Sequence, residues 1–350
     1  MSKVFCGIDF HKNTSTFFAI SETGEEIEKV TTIRTDRLRQ YLSNRLDWKI
    51  GIEASGGTHH MAEELKKDGH EVVLINPNQF RGIGIGGKKT DERDAKALAN
   101  ALRLGFIPEV HHKSLMARRL KSLLVARELF VRSRVNMINH IRGSLREYGI
   151  TIPAGKEAFF EHIDCKLAEL DFVPLREVLL TMLQQVREFE KKEQEIEVLL
   201  EALTQGNEMI AKLQTIPGVG AMSAYALVAV VDDIFRFKDA SQFAAYLGLV
   251  PRVNASADTR RMGSITRSGS EMLRRYLIHG ARAWMRYSPE KGDRNRVWAE
   301  RVKERRGMNK SVVALAHRIA RIAYAVMRDQ SEYKKKKTKE DNSSTEALAA

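Results

Sequence analysis

Residues 3–10 read Lys-Val-Phe-Cys-Gly-Ile-Asp-Phe, an apolar run that ends around one acid, Asp9. The same ending recurs downstream, where Ile-Gly-Ile-Glu-Ala closes a second apolar run at Glu53. Two further acids, Asp91 and Asp94, stand three apart at the start of a predicted helix and therefore share one helix face. Hard divalent cations take oxygen ligands, so the four acids together predict a magnesium site for phosphodiester chemistry.

Strand and helix signals alternate around these acids. We predict strands over 3–10, 14–20, 27–33, 48–53 and 71–75, and helices over 37–45, from Thr58 and from near Asp91. Three consecutive strands followed by alternating helices and strands are typical of the ribonuclease H type of α/β fold. That fold places its first strand beside its fourth, which would bring Asp9 next to Glu53.

Each acid alone also has a structural explanation. Asp91 could cap the helix N-terminus, Asp94 could interact with the helix dipole, and Asp9 could cap a strand end. The order of the acids and the Asp-x-x-Asp step favour the metal site. His11 is interpreted as a surface residue, with a supporting position behind the ligands as the alternative.

The charge of the chain predicts a polyanionic partner. Its 350 residues carry a net charge of +13, and their 43% hydrophobic content is enough for two or three domains. Residues 1–110 hold sixteen basic and sixteen acidic residues, whereas 252–328 hold nineteen basic and six acidic ones. The C-terminal part is therefore expected to meet the polyanion.

The two cysteines, Cys6 and Cys165, are too far apart in sequence to suggest a disulfide framework or a zinc site. They fit a reducing compartment. The longest apolar stretch, around 311–327, is interrupted by charged residues, so no membrane span is predicted. We expect a cytoplasmic protein.

A long helical region is predicted between about Ser114 and Leu203. Apolar residues recur there in alternating steps of four and three, a coiled-coil heptad register: Leu175, Leu179, Met182, Val186, Phe189, Ile196, Leu200 and Leu203. Glu193 occupies the one seam position that breaks this pattern. The seam fits either an antiparallel hairpin that folds back on 115–145 within one chain or a contact between subunits.

A second unit, helical by its patterns, follows from Met209. The segment Ile216-Pro-Gly-Val-Gly220 before an apolar helix has the pattern of a helix-hairpin-helix, whose turn presents backbone amides to phosphate. An ordinary glycine turn between packed helices is the alternative. The predicted domains are thus 1–112, 113–205 and 206–330, followed by a disordered basic tail over 331–350.

Serines and arginines alternate within the second unit. The segment Tyr246-Leu-Gly-Leu-Val-Pro-Arg252 precedes Ser256, and Gly263-Ser-Ile-Thr-Arg-Ser-Gly269 follows it. A hydroxyl in an arginine-rich loop is placed to approach a phosphate whose charge the arginines neutralise. The candidate DNA contacts are Arg252, Arg260, Arg261, Arg267, Arg274 and Arg275.

Taken together, these motifs resemble the DEDD transposases of bacterial insertion sequences, relatives of the Piv DNA invertase. The resemblance covers roughly residues 3–328. It implies a RuvC-like domain whose acids Asp9, Glu53, Asp91 and Asp94 bind magnesium, a coiled-coil insertion, and a C-terminal transposase domain. It also implies a structured bridge RNA that pairs with target and donor DNA, in a bacterial protein associated with the nucleoid.

Carried over by position, the family's nucleophile is Ser256, chosen over Ser264. The family usually has Ser-Gly at this point, whereas this chain has Ser256-Ala257. We therefore expect a recombinase in which Ser256 forms a phosphoserine link, working as a homodimer or homotetramer because one monomer can hardly hold two duplexes. The alternatives are a hydrolytic junction-resolving nuclease with the same acids, and a nucleic-acid scaffold without catalysis.

Overall fold

The computed structural model describes residues 3–80, 90–256, 259–287 and 293–334, without the side chains of 78, 254–256, 259 and 260. The chain separates into two compact units, Met1–Lys113 and Ser114–Ala350. The N-terminal unit is a mixed α/β sheet and the C-terminal unit is mostly helical, as predicted. The finer division into four segments stays a prediction.

In the described part of the N-terminal unit, six strands form one sheet in the order β3-β2-β1-β4-β5-β6. The strands are β1 Val4–Phe10, β2 Thr14–Ser21, β3 Glu26–Arg34, β4 Trp48–Glu53, β5 Glu71–Ile75 and β6 Glu109–Val110. β1 pairs antiparallel with β2 and parallel with β4. The predicted adjacency of the first and fourth strands is therefore confirmed.

Helices cover the two faces of this sheet. They are α1 Leu38–Leu42, α2 Thr58–Lys67, α3 Pro77–Phe80 and α4 Asp91–Leu104. The predicted helix over 37–45 is shorter in the structure because a 3-10 turn takes 35–37 and the chain leaves α1 after Leu42. One core lies between the sheet and α1 and α2; the other lies under α4, where Leu98 and Leu102 meet Phe5 and Phe18.

The C-terminal unit contains nine helices and one hairpin within its described residues. The elements are α5 Leu115–Glu147, α6 Lys156–Ala168, α7 Val173–Leu203, α8 Glu208–Gln214, α9 Ala221–Val231, α10 Ala240–Tyr246, β7 Pro251–Ser256, β8 Thr259–Ile265, α11 Glu271–Tyr287, α12 Arg294–Arg306 and α13 Met308–Asp329. The arginine-rich segment predicted as a loop is therefore an antiparallel hairpin, a strand pair that the sequence analysis missed.

The long helices α5 and α7 form an antiparallel hairpin within the chain, one of the two arrangements left open. Near one end Ile138 of α5 packs with Val186 of α7. Glu193, which interrupts the apolar seam, is 5% exposed and accepts two hydrogen bonds from Arg134, at 2.7 and 3.0 Å. A bidentate partner compensates the buried carboxylate. Supercoiling of the pair stays a prediction.

The chain stays packed beyond α13. The backbone nitrogen of Tyr333 donates to the hydroxyl of Thr215 at 2.8 Å, and its ring lies 6.2 Å from that of Trp284. The predicted tail boundary at 331 falls inside this contact, and residues 335–350 lie outside the described residues. In the described part of the chain, no helix has both the length and the apolar character needed to span a bilayer.

Candidate active site

The first two predicted acids lie at the ends of the neighbouring strands β1 and β4: Asp9 is the second-last residue of β1, and Glu53 is the last residue of β4. Their parallel register sets Ile8 opposite Ile52, so one further step sets Asp9 beside Glu53 on the same face of the sheet. Asp9 is buried, and Glu53 is partly exposed. The two carboxyl-terminal strand ends thus bring two acids from separate parts of the sequence to one edge.

Two glycines bring α4 onto this face. Gly7 and Gly51 each precede an acid by two residues, so they share the face on which Asp9 and Glu53 lie. A Cβ on Gly7 would stand 2.2 Å from the carbonyl oxygen of Ala95, and a Cβ on Gly51 would stand 2.5 Å from a methyl carbon of Leu102. Helix α4 therefore rests directly on the backbone of β1 and β4.

The first turn of α4 carries the other two acids. Thr90, not Asp91, caps this helix, because its hydroxyl accepts from the backbone nitrogen of Arg93 at 3.3 Å. Capping therefore does not explain Asp91, whose side chain is 59% exposed. Asp94, one turn further into the helix, is partly buried.

Asp9 has the most unusual environment of the four. It is 7% exposed, and its buried Oδ2 has no well-aligned hydrogen bond from the described residues, although Nε2 of His11 lies 3.3 Å away. Burial raises the pKa of this carboxyl above its ordinary value; the negative charges of Asp91 and Asp94 add to the rise, and His11 opposes it. The charge of a buried acid next to other acids is therefore only partly offset by the imidazole of His11.

His11 lies at the same point, although the sequence favoured a surface position for it. Its ring is half exposed, yet Nε2 lies 3.3 Å from Oδ2 of Asp9 and 3.9 Å from Oδ1 of Asp91. The three residues offer ligand atoms that all lie within 4.8 Å of one another. A buried carboxylate oxygen whose charge is only partly offset, and which lies among further ligand atoms, fits a divalent cation.

The predicted nucleophile lies at the end of a strand in the other unit. Ser256 is the last residue of β7 and pairs with Thr259 of β8, while its side chain lies outside the described residues. The side chain of Arg260 lies outside them as well. Arg252, Arg261 and Arg267 are exposed around the hairpin. Exposed cationic side chains thus lie on both strands of the hairpin and in the segment that follows it.

Two of the predicted DNA-contacting arginines are engaged within the protein. Arg274 is 8% exposed, and its Nη1 donates to the carbonyl oxygens of Leu247 at 3.2 Å and Ser268 at 2.7 Å. Arg275 forms an ion pair with Glu128 at 2.5 Å. The placement of Arg274 favours a structural role over the predicted contact with DNA.

The glycine turn between α8 and α9 packs against another helix. Gly218 has a φ of +82°, and a Cβ on it would stand 2.3 Å from the carbonyl oxygen of Gly280 in α11. Glycine is needed there both for the left-handed backbone and for the close approach. This contact favours the packed turn of the two alternatives, and phosphate binding by the turn stays a prediction.

Two transposase families match separate parts of the chain. A DEDD transposase family named for IS110 matches residues 6–150, which include all four acids. The family described as Transposase IS116/IS110/IS902 matches residues 210–295, which include the hairpin. The two matches thus cover both groups of candidate residues.

Individual relatives match nearly end to end. The transposase for insertion sequence element IS1111A of Coxiella burnetii is 34% identical, over 94% of this chain and 90% of that protein. The transposase for insertion sequence element IS1328 of Yersinia enterocolitica is 29% identical, over 91% and 95%. The pilin gene-inverting protein of Moraxella lacunata is 25% identical, over 96% and 99%.

Proposed function

Because the chain belongs to the IS116/IS110/IS902 family of transposases and is therefore a DNA transposase or recombinase, we propose that it cuts and rejoins DNA with two groups of residues. The first is a magnesium site formed by Asp9, Glu53, Asp91 and Asp94 on a ribonuclease H-like, RuvC-like sheet. The second is Ser256 as nucleophile. The observation that carries the proposal is the burial of the Asp9 carboxylate among further acids, which raises its pKa although His11 lies beside it.

The four acids have different tasks in this proposal. Bound magnesium supplies charge that polarises the scissile phosphate and stabilises the negative charge of the transition state. Asp9 and Glu53 anchor the cation from strand ends, where the sheet fixes their positions. Asp91 and Asp94 would complete its ligands from the first turn of α4, where the side chain of Asp91 is exposed and accessible to a DNA phosphate.

The hydroxyl of Ser256 carries the covalent step. Its oxygen bonds to the scissile phosphorus as the phosphorus–oxygen bond to one DNA strand end breaks, and the proton leaves the serine while the departing DNA oxygen gains one. A hydroxyl from the partner duplex then attacks the phosphoserine, which restores the serine and joins the new strand. Each step exchanges one phosphoester for another, so no nucleotide triphosphate is consumed.

The partners follow from charge and from the number of duplexes. Exposed arginines such as Arg252, Arg261 and Arg267 hold DNA through its phosphates, which fix position without reading sequence. Sequence choice then comes from a bridge RNA that pairs with donor and target DNA. Joining two duplexes calls for a homodimer or homotetramer, and the DNA substrate places the protein at the bacterial nucleoid in the cytoplasm.

The test compares two substitutions in the full chain, produced together with the noncoding DNA that flanks its gene and a plasmid carrying the element's ends. We expect Asp9→Asn to abolish strand cleavage, and Ser256→Ala to abolish both cleavage and the covalent protein–DNA adduct. The exposed Asp36, paired with Arg34, supplies the control: Asp36→Asn should keep full activity.

The same variants separate the rival functions. Cleavage that persists in Ser256→Ala without a protein–DNA adduct would identify a hydrolytic nuclease in which water attacks. Recombination that persists in Asp9→Asn would leave the acids a structural role and overturn the magnesium site.

A further inference from the structure

We propose that His11 is a nitrogen ligand of the cation held by Asp9 and Asp91, and that it shifts the preference of this site from magnesium towards first-row divalent transition ions. The inference rests on the metal site of the proposed function and adds a ligand to it. Its basis is the position of the ring, whose Nε2 lies within 4 Å of one oxygen from each of the two acids, at 3.3 and 3.9 Å.

These separations suit a shared ion. Ligand atoms at about 2.0–2.1 Å from an octahedral ion stand roughly 3 Å apart when adjacent and roughly 4 Å apart when opposite. The distances from Nε2 to the two carboxylate oxygens fall inside this interval. An ion pair or hydrogen bond between the imidazole and Asp9 is the alternative, and coupling of a bound ion to the imidazole nitrogen separates the two.

The backbone of His11 is held in place by hydrogen bonds, and this fixes the point from which its ring reaches the acids. Its nitrogen donates to the carbonyl oxygen of Thr14 at 3.2 Å, and its carbonyl oxygen accepts from the hydroxyl of Thr35 at 2.8 Å. Thr35 is in turn hydrogen bonded to the hydroxyl of the buried Ser15 at 2.8 Å. The turn after β1 is thereby tied to the start of β2 and to the 3-10 turn that follows β3.

An imidazole ligand changes which ion the site prefers. Magnesium selects oxygen ligands and tolerates nitrogen poorly, whereas imidazole suits transition ions and binding strengthens along the first-row series. A set of carboxylates with one imidazole therefore holds manganese and heavier divalent ions more tightly than magnesium. The half-exposed ring leaves the outer side of the site open to DNA.

Manganese is the probe because its electron spin reports directly bound nitrogen. We expect pulsed electron paramagnetic resonance of the Mn²⁺-loaded full chain to show coupling to an imidazole nitrogen, and His11→Asn to remove that coupling. In titration calorimetry, His11→Asn should weaken Mn²⁺ binding by about tenfold while weakening Mg²⁺ binding much less. The exposed His60 provides the matched control, since His60→Asn should change neither result.

The outcomes separate this inference from the function on which it rests. If Mn²⁺ binds, Asp9→Asn abolishes the binding and no nitrogen coupling is seen, the acid site stands and the role of His11 is overturned. If Asp9→Asn leaves Mn²⁺ binding unchanged, the acid site itself fails, and the assignment of His11 fails with it. Equal weakening of Mn²⁺ and Mg²⁺ binding in His11→Asn would also overturn the proposed shift in preference.

Discussion

The strand pair β1–β4 and the hairpin β7–β8 each end at a residue proposed for catalysis, but they are held in different ways. β1 is buried from Val4 to Asp9, has a strand on each side and lies under α4. In the described part of β7–β8, each strand has one partner, and the side chains from Arg261 to Ser264 are exposed. Packing on both sides therefore fixes the strand that carries Asp9, whereas the described hairpin is held mainly by the pairing of its two strands.

The first prediction tests how far the acid site depends on close packing. Gly7→Ala should lower the stability of the N-terminal unit by about 3 kcal/mol or more, because the new methyl group meets backbone atoms of α4 that cannot rotate away. The measurement is hydrogen exchange by mass spectrometry on peptides that cover β1 and β4.

Gly263→Ala is the matched control in β8. The nearest atom to the new methyl group would be the Cβ of Arg252 at 3.7 Å, an ordinary contact. The change in the free energy of unfolding that hydrogen exchange reports for this variant should stay below about 0.5 kcal/mol. Equal effects of the two substitutions would remove the contrast between a packed site and an exposed one.

The second prediction separates structural from DNA-binding arginines beside the hairpin. Arg274→Ala should destabilise the C-terminal unit by about 2 kcal/mol, because it removes the shared donor of two backbone carbonyl groups. Arg261→Ala should leave the free energy of unfolding unchanged and weaken DNA binding. The magnitude of the slope of the logarithm of the binding constant against the logarithm of salt concentration should fall by about one, as expected for the loss of one phosphate contact.

Denaturation and DNA titrations at several salt concentrations provide the two measurements. A stable Arg274→Ala variant with weakened DNA binding would return Arg274 to the DNA interface.

The meeting of Asp9 and Glu53 at one edge of the sheet was predictable because its signals are local. Asp9 and Glu53 end apolar strands, and the pattern of strands implies that β1 and β4 are neighbours. The burial of Arg274 was also within reach, since it stands three residues before Leu277 on the apolar face of α11. The prediction grouped the arginines by their charge and did not consider the helical spacing that places Arg274 on the same face as Leu277.

The hairpin and His11 were not predictable in the same way. The sequence of β7 alternates apolar and polar residues from Pro251 to Ser256, but β8 begins Thr-Arg-Arg and shows no such alternation. The charge of the segment therefore suggested a loop in place of a strand pair. The position of His11 depends on Thr35, which is twenty-four residues away in sequence. A contact of this kind appears only when the chain is folded.

The third prediction concerns the cost of holding Asp9 in a buried site. Since burial raises the folded pKa of Asp9, the folded state retains the proton to a higher pH than the unfolded state does. Stability is therefore greatest below the ordinary aspartate pKa and falls as the pH rises through the window up to the raised value. Asp9→Asn removes this penalty. Without divalent cations, the free energy of unfolding of the variant at neutral pH should therefore be about 1 kcal/mol higher than that of the native chain.

Thermal unfolding across the pH range, with and without Mn²⁺, measures this difference. The advantage of Asp9→Asn should vanish below the ordinary aspartate pKa, where both folded and unfolded native chains carry the proton. Adding Mn²⁺ should reverse the order, because a cation that binds only the folded native site stabilises that chain alone. A variant less stable than the native chain at neutral pH without cations would mean that the Asp9 carboxylate is compensated within the protein. The acid site would then still be more buried than the hairpin, but its stability would not require a bound cation.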